Sequence, residues 1–230
     1  MLFRSNTDVL KQQANDSTST SQSNENSVDE LEIRFANKDD LGNIAELMYS
    51  SGADLYDYIY NTANRHALEY IQMEFLSNRG LCSHKLLTVA ILDGKVVGTG
   101  TFWDRDGYKA MSSGSTLNMI RFYGLRVLPR MLRAVDSMKL MKPPKHDELY
   151  LANFGVDPAL RGCGIGSKLL NHKIEQARAD GYRMVSLDVS TKNPKAEALY
   201  QRLGFAVTDV KSMTGRDGNE YACKKMELFL

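Results

Sequence analysis

Three glycines fall within five residues at Gly162, Gly164 and Gly166, inside the stretch Val156-Asp157-Pro158-Ala159-Leu160-Arg161-Gly162-Cys163-Gly164-Ile165-Gly166-Ser167. Glycine admits positive φ and lets a ligand approach the backbone closely. The stretch follows a strand-like apolar run and opens a helical one. A helix that starts in such a loop aims its free N–H groups and the positive end of its dipole at whatever the loop holds, which suits a pyrophosphate. Two other phosphate loops are excluded. No Gly-Lys-Ser/Thr follows, and the glycines alternate rather than running G-x-G-x-x-G. Cys163 sits at a helix N-terminus, where thiols lose their proton more readily, but it reads as a filler of the loop.

The elements that position this loop follow from periodicity. Residues 148–156 read as a strand, and residues 164–179 as a helix with Ile165, Leu169, Leu170, Ile174 and Ala177 on one face. Gly181 stands where a C-terminal cap belongs. Residues 184–189 read as a buried strand, 194–203 as a helix capped by Asn193, and 205–210 and 221–229 as two closing strands. Upstream, residues 31–35 read as a strand and 38–50 as a helix. Residues 55–76 read as a helix broken near 61–64. Residues 86–92 and 96–103 flank Asp93-Gly94, a hairpin signal. Residues 104–147 form an insertion before the central strand. Its 117–140 segment mixes apolar residues with Arg121, Arg126, Arg130 and Arg133 at helical spacing, with Pro129 inside. A basic amphipathic helix of this kind suits a membrane surface or an acidic partner. The reading adopted is a helix covering one end of the core. The order predicts an α/β (α+β) chain with a mixed, mostly antiparallel sheet of six to seven strands and helices on both faces. Residues 5–30 are polar and nearly free of large apolar side chains, so residues 1–30 are expected to be a disordered tail and 31–230 one domain.

Arg161-x-x-Gly164-x-Gly166, preceded by Val156-x-Pro158, resembles the first signature of the GNAT acetyltransferases. Asn193-x-x-Ala196-x-x-Leu199-Tyr200-x-x-Leu203-Gly204-Phe205 resembles the second, about thirty residues downstream. The resemblance implies the GNAT fold, acetyl-CoA as co-substrate and direct transfer of the acetyl group to a primary amine. It implies that backbone groups of Phe154 and Val156 hold the pantetheine amides, with Gly155 marking a bulge that opens the strand. The N–H groups of Arg161, Gly162, Cys163, Gly164, Ile165, Gly166 and Ser167 would cradle the pyrophosphate. Asn193 and Ala196 would help position the cofactor. A peptide N–H near residues 154–156 would polarise the thioester carbonyl, and Tyr200 would protonate the departing thiolate.

The general base departs from the family pattern. Where relatives carry a carboxylate on the central strand, this chain has Tyr150. Glu148 lies two residues away, on the same face of a regular strand. Glu148 and His146 are the candidate bases, and each is also readable as an ordinary surface charge. Tyr56 and Tyr58, with Asp57 and Tyr60 beside them, are candidates for the acceptor site. The leading reading is an enzyme for a small-molecule amine. Alternatives are a protein lysine or N-terminal acetyltransferase, or an acyl-CoA-binding sensor that no longer transfers.

Composition sets outer limits. The 230 residues carry 29 basic and 28 acidic side chains, not the basic excess of a protein whose task is gripping nucleic acid. Cys82, Cys163 and Cys223 are scattered and odd in number, against a disulfide framework or a metal site. No apolar run reaches bilayer length. The expectations are a cytoplasmic protein with no metal, nucleic-acid or membrane partner, and the resemblance leaves room for a homodimer.

Overall fold

The computed structural model describes residues 31–230; the expected tail lies outside the described residues. In chain order come β1 (Glu32–Phe35), α1 (Ile44–Ser50), α2 (Ala53–Tyr60), α3 (Ala67–Leu76), β2 (Leu87–Leu92) and β3 (Lys95–Trp103). The insertion follows as α4 (Arg105–Tyr123) and α5 (Leu128–Ser137). Then come β4 (Glu148–Val156), α6 (Ile165–Ala179), β5 (Met184–Ser190), α7 (Pro194–Arg202), β6 (Ala206–Thr214) and β7 (Glu220–Phe229). Seven strands form one sheet in the order β1-β2-β3-β4-β5-β7-β6. Every pairing is antiparallel except β4 with β5. The β2–β3 hairpin turns through Asp93 (φ 50°) and Gly94 (φ 72°), the two positive φ values that a tight hairpin turn of matching twist requires.

Helices lie against both faces of the sheet. Leu149, Leu151, Val185, Leu187 and Val189 pack with Leu170, Ile174 and Ala177 of α6 and with Tyr200 of α7. On the opposite face Ile44 and Met48 of α1 and Ile71 and Phe75 of α3 meet Leu87, Val89 and Ile91. The alternation along β2, odd residues to one helical layer and Ala90 and Leu92 to the other, is the strand period at work.

Three expectations are corrected. Residues 38–40 form a single 3₁₀ turn, and the helix proper starts at Ile44. The first insertion helix begins at Arg105, not near 117. Asp104 caps it by accepting from the Gly107 N–H at 2.7 Å. The stretch that follows is rich in Ser and Gly and has no apolar stripe, so periodicity conceals it. Gly114 lies so close to the Arg79–Gly80 backbone that a Cβ there would collide with it. Finally, α5 does not turn its apolar side to the core. Leu128, Leu132 and Val135 are 62, 40 and 62% exposed while Arg130 is buried.

Candidate active site

Strand β4 is paired with β3 from Trp103↔Tyr150 to Gly98↔Val156 but with β5 only from Glu148↔Met184 to Leu151↔Leu187. Beyond that point Asp188 to Ser190 stay with β7, and the two parallel neighbours part. On the β3 side, Thr99↔Gly155 and Thr101↔Ala152 set two steps of β3 against three of β4, which is a β-bulge. Its strained residue is Asn153, with φ 53°, a conformation that asparagine tolerates better than most side chains. Gly155 flanks the bulge opposite Thr99, and a Cβ there would strike the backbone carbonyl of Leu47. Glycine therefore lets α1 press directly on the bulged strand. The Asp157 N–H donates to the Val97 carbonyl at 2.9 Å. Strand alternation then turns the peptide groups of Val156 to the open side. There its carbonyl accepts from Arg161 Nε at 3.2 Å.

The chain leaves β4 through Asp157 and a short 3₁₀ turn into the glycine loop. Gly162 and Gly164 have φ of 87° and 85°. Gly164 is the N-cap of α6, and no side chain among the described residues caps that helix. The N–H groups of its first turn, on Ile165, Gly166 and Ser167, have no intrahelical partner and remain available to a ligand. A Cβ at Gly166 would stand 3.4 Å from Leu199, Phe154 and Val156 alike, so this glycine is the junction of α6, α7 and β4. Cys163 is half-buried against the cluster containing Leu160 and Ile165.

Tyr200 lies on the same junction. Its ring is 6.1 Å from that of Phe154 and 5.9 Å from that of Phe205, and only 5% of the residue is exposed. Burial pushes its hydroxyl well above the ordinary phenol pKa, so it stays protonated at neutral pH. The hydroxyl has no hydrogen-bond partner among the described residues. Asn193 is occupied at one atom: its Oδ1 caps α7 by accepting from the Ala196 N–H at 3.1 Å. Ala196 packs against the apolar cluster around Tyr200.

The candidate bases fare differently. Glu148 is 2% exposed and already surrounded by donors. Lys225 Nζ lies 2.7 Å from Oε1, Ser186 Oγ donates to the same oxygen, and the Lys145 N–H donates to Oε2 at 2.8 Å. Burial pulls its pKa up, but these donors outweigh it and hold the carboxyl below its ordinary range. A carboxylate so satisfied is a poor proton acceptor, which removes the geometric case for Glu148 as the base. Tyr150 stacks on Trp103 at 5.7 Å and donates to Asp188 Oδ2 at 2.9 Å. His146 is mostly exposed on the insertion, 2.6 Å from Asp147.

The two candidate acceptor tyrosines point apart. The Tyr56 hydroxyl reaches the bulge and donates to Asn153 Oδ1 at 2.5 Å, while Asn153 Nδ2 donates to Thr101 Oγ1 at 3.0 Å. Tyr58 faces the other way, sealed between Arg133 and the ring of Tyr221. Its hydroxyl accepts from the Arg216 N–H at 3.1 Å and donates to Asp136. Tyr58 is buried and its hydroxyl is engaged away from the bulge. Asp57 accepts from Tyr49, and Asp54 pairs with Lys192 at 2.7 Å, joining α2 to the turn after β5. Two residues escaped the sequence reading. Asn153 carried a faint signal, as an asparagine inside an otherwise apolar strand. Glu74 carried none. It is fully buried and accepts from Tyr70, Asn118 and the Cys82 N–H, which lies behind Tyr56. Among the described residues no cluster of side chains suits a metal ion.

A model of the acetyltransferase (GNAT) family matches residues 53–205. An uncharacterized N-acetyltransferase of Methanocaldococcus jannaschii is 47% identical over 77 residues, 34% of each chain. The [ribosomal protein bS18]-alanine N-acetyltransferase of Escherichia coli is 41% identical over 59 residues, 26% of this chain and 40% of that one. The matches thus span between a third and two fifths of the length of these curated relatives. Among solved structures, an N-acetyltransferase from Staphylococcus aureus Mu50 superposes with a TM-score of 0.64 at 22% identity. The superposition covers 86% of this chain and all of that one, a likeness of fold.

Proposed function

The chain belongs to the acetyltransferase (GNAT) family, and from that premise we propose that it is an acetyl-CoA-dependent N-acetyltransferase acting on a primary amine, in the first instance of a small molecule. The observation that carries this reading is the parting of β4 from β5 directly before a glycine loop whose helix has no side-chain cap. A cleft between strands suits a slender pantetheine arm, and uncapped N–H groups at a helix start suit its pyrophosphate.

In this reading the N–H groups of residues 161–167 hold the pyrophosphate. The open-side peptide groups of Phe154 and Val156 hold the arm and polarise the thioester carbonyl. Tyr200, neutral, unpartnered and packed on Phe154, protonates the leaving thiolate. Asn193 contributes through its Nδ2, its Oδ1 being taken by the helix cap. On the acceptor side Tyr56 and Asn153 form the polar wall. The closeness of α2 to the bulge, and the Asp54–Lys192 pair at its rim, favour a small acceptor.

A second reading, acetylation of a protein N-terminal amine, rests on the 59-residue similarity to the bS18-alanine N-acetyltransferase. Calorimetric titration with acetyl-CoA, and with CoA alone, tests what the two readings share. Micromolar binding that weakens when Gly164 and Gly166 are replaced by bulkier residues is expected. A well-folded protein that binds neither ligand would overturn the proposal. An acceptor screen of free amines and short peptides then separates the two readings.

A further inference from the structure

Helix α5 is built inside out. Its inward side carries Arg130 and Arg133, whose guanidinium groups donate to the carbonyls of Asn61 and Tyr58 at the end of α2. Val127, Met131 and Ala134 fill in around them. Its outward side carries Leu128, Leu132 and Val135 at spacings of four and three, a continuous stripe, with Met138 one turn on. Leu125, in the turn before the helix, is fully exposed, and Leu117 and Ile120 are exposed on α4, also three apart. Scattered exposed leucines need no explanation, but three large aliphatic side chains on one face of a helix, with four more exposed within the same insertion, do.

The charge around them is equally one-sided. Residues 117–145 contain seven basic side chains and a single acid, Asp136, in a chain whose overall charge is +1. Asp136 is itself engaged by Arg216. Arg121 and Arg126, which flank Leu125, are exposed and have no ion-pair partner among the described residues.

We propose that the outward face of α4 and α5 docks on an anionic lipid surface, with the aliphatic stripe in the headgroup boundary and Arg121 and Arg126 on the phosphates. The composition selects this occupant. A second copy would bring two strongly basic segments together and repel. A protein interface centre is rich in aromatic side chains, and this stripe is wholly aliphatic. An aliphatic stripe flanked by unpaired arginines is the pattern of a helix lying in a membrane interface. The inward arginines fix α5 to α2. The proposal is independent of the acetyl-transfer reading.

Sedimentation of the full chain with phosphatidylcholine vesicles, with and without phosphatidylglycerol, tests it. Binding is expected only to the anionic vesicles and is expected to weaken with salt. Arg121→Gln and Arg126→Gln should each lower the partition coefficient about fivefold. Leu132→Glu with Val135→Glu, both at exposed positions, should abolish binding while circular dichroism and acetyl-CoA titration stay unchanged. Equal binding to neutral vesicles, or undiminished binding of the double variant, overturns the proposal. So does absence of vesicle binding accompanied by a concentration-dependent dimer that the same double variant dissolves, which would make the face a self-contact.

Discussion

The first four residues of β4 are all paired with β5, Tyr150 and Leu151 with β3 as well, and their polar side chains are committed: Glu148 to Lys225 and Ser186, Tyr150 to Asp188. From Asn153 to Val156 the same strand is paired on one edge only, bulged, and pressed by α1 through Gly155. One strand therefore holds a closed half and an open half. The difference teaches where to look for the chemistry: not at the carboxylate that the strand offers, but at the backbone that its neighbour has released. In the closed half, side chains satisfy one another. In the open half, peptide groups, the glycine loop and the unpartnered hydroxyl of Tyr200 remain for a ligand.

The largest effect is expected from breaking the closed half. Lys225→Met leaves Glu148 buried without its counter-ion and should cost about 3–5 kcal/mol in urea unfolding. Lys225→Met combined with Glu148→Gln should recover most of that loss. The pH dependence follows from the direction of the shift. The folded-state pKa of Glu148 lies below the ordinary value of 4.5. Its contribution is therefore fully present above that value and lost as pH falls through the folded pKa. Glu148→Gln should flatten the acid limb of the stability profile. A profile identical to that of the parent protein would mean that the closed half is not closed.

Next in size is Tyr200→Phe. Removing one hydroxyl from a buried site without other partners should barely alter stability, yet should lower kcat about a hundredfold for whichever amine turns over. Unchanged turnover would remove Tyr200 from the chemistry and return it to the core of α7. Gly166→Val comes third. Its methyl groups must fit where Leu199, Phe154 and Val156 already stand 3.4 Å from a Cβ. The acetyl-CoA Kd should rise about tenfold, close to 1.4 kcal/mol. A folded variant with unchanged affinity would dissociate the loop from the ligand.

The open half was largely legible in the sequence because backbone demands leave marks on residue type. Gly162 and Gly164 stand where φ must be positive, Asn193 caps the helix expected after it, and Asp93-Gly94 turns the hairpin. The closed half was not legible. Whether Glu148 is a free base depends on Ser186 and Lys225, 38 and 77 residues away, and nothing local announces either partner. The same limit explains α2. The tyrosines at 56 and 58 look alike in sequence, and only tertiary packing sends one to the bulge and the other to Arg216. In α5 the stripe was visible but its direction was not, because periodicity gives a face without saying which way it turns.

Tyr56 offers the finest test of the division, since it touches the open half without belonging to it. Its hydroxyl donates to Asn153 Oδ1, and that asparagine in turn donates to Thr101. Burial pushes the phenol well above its ordinary pKa, so across the working range it acts as a neutral donor. Tyr56→Phe deletes one neutral hydrogen bond, worth about 1 kcal/mol. That energy should appear on the acceptor side alone, as a KM for the amine raised about fivefold. The affinity for acetyl-CoA should stay constant because the proposed cofactor site draws its backbone groups from β4 and α6, not from α2. A variant in which acetyl-CoA binding falls and the amine KM does not would show that Tyr56 shapes the bulge itself, and would move the boundary between the donor and acceptor sides onto Asn153.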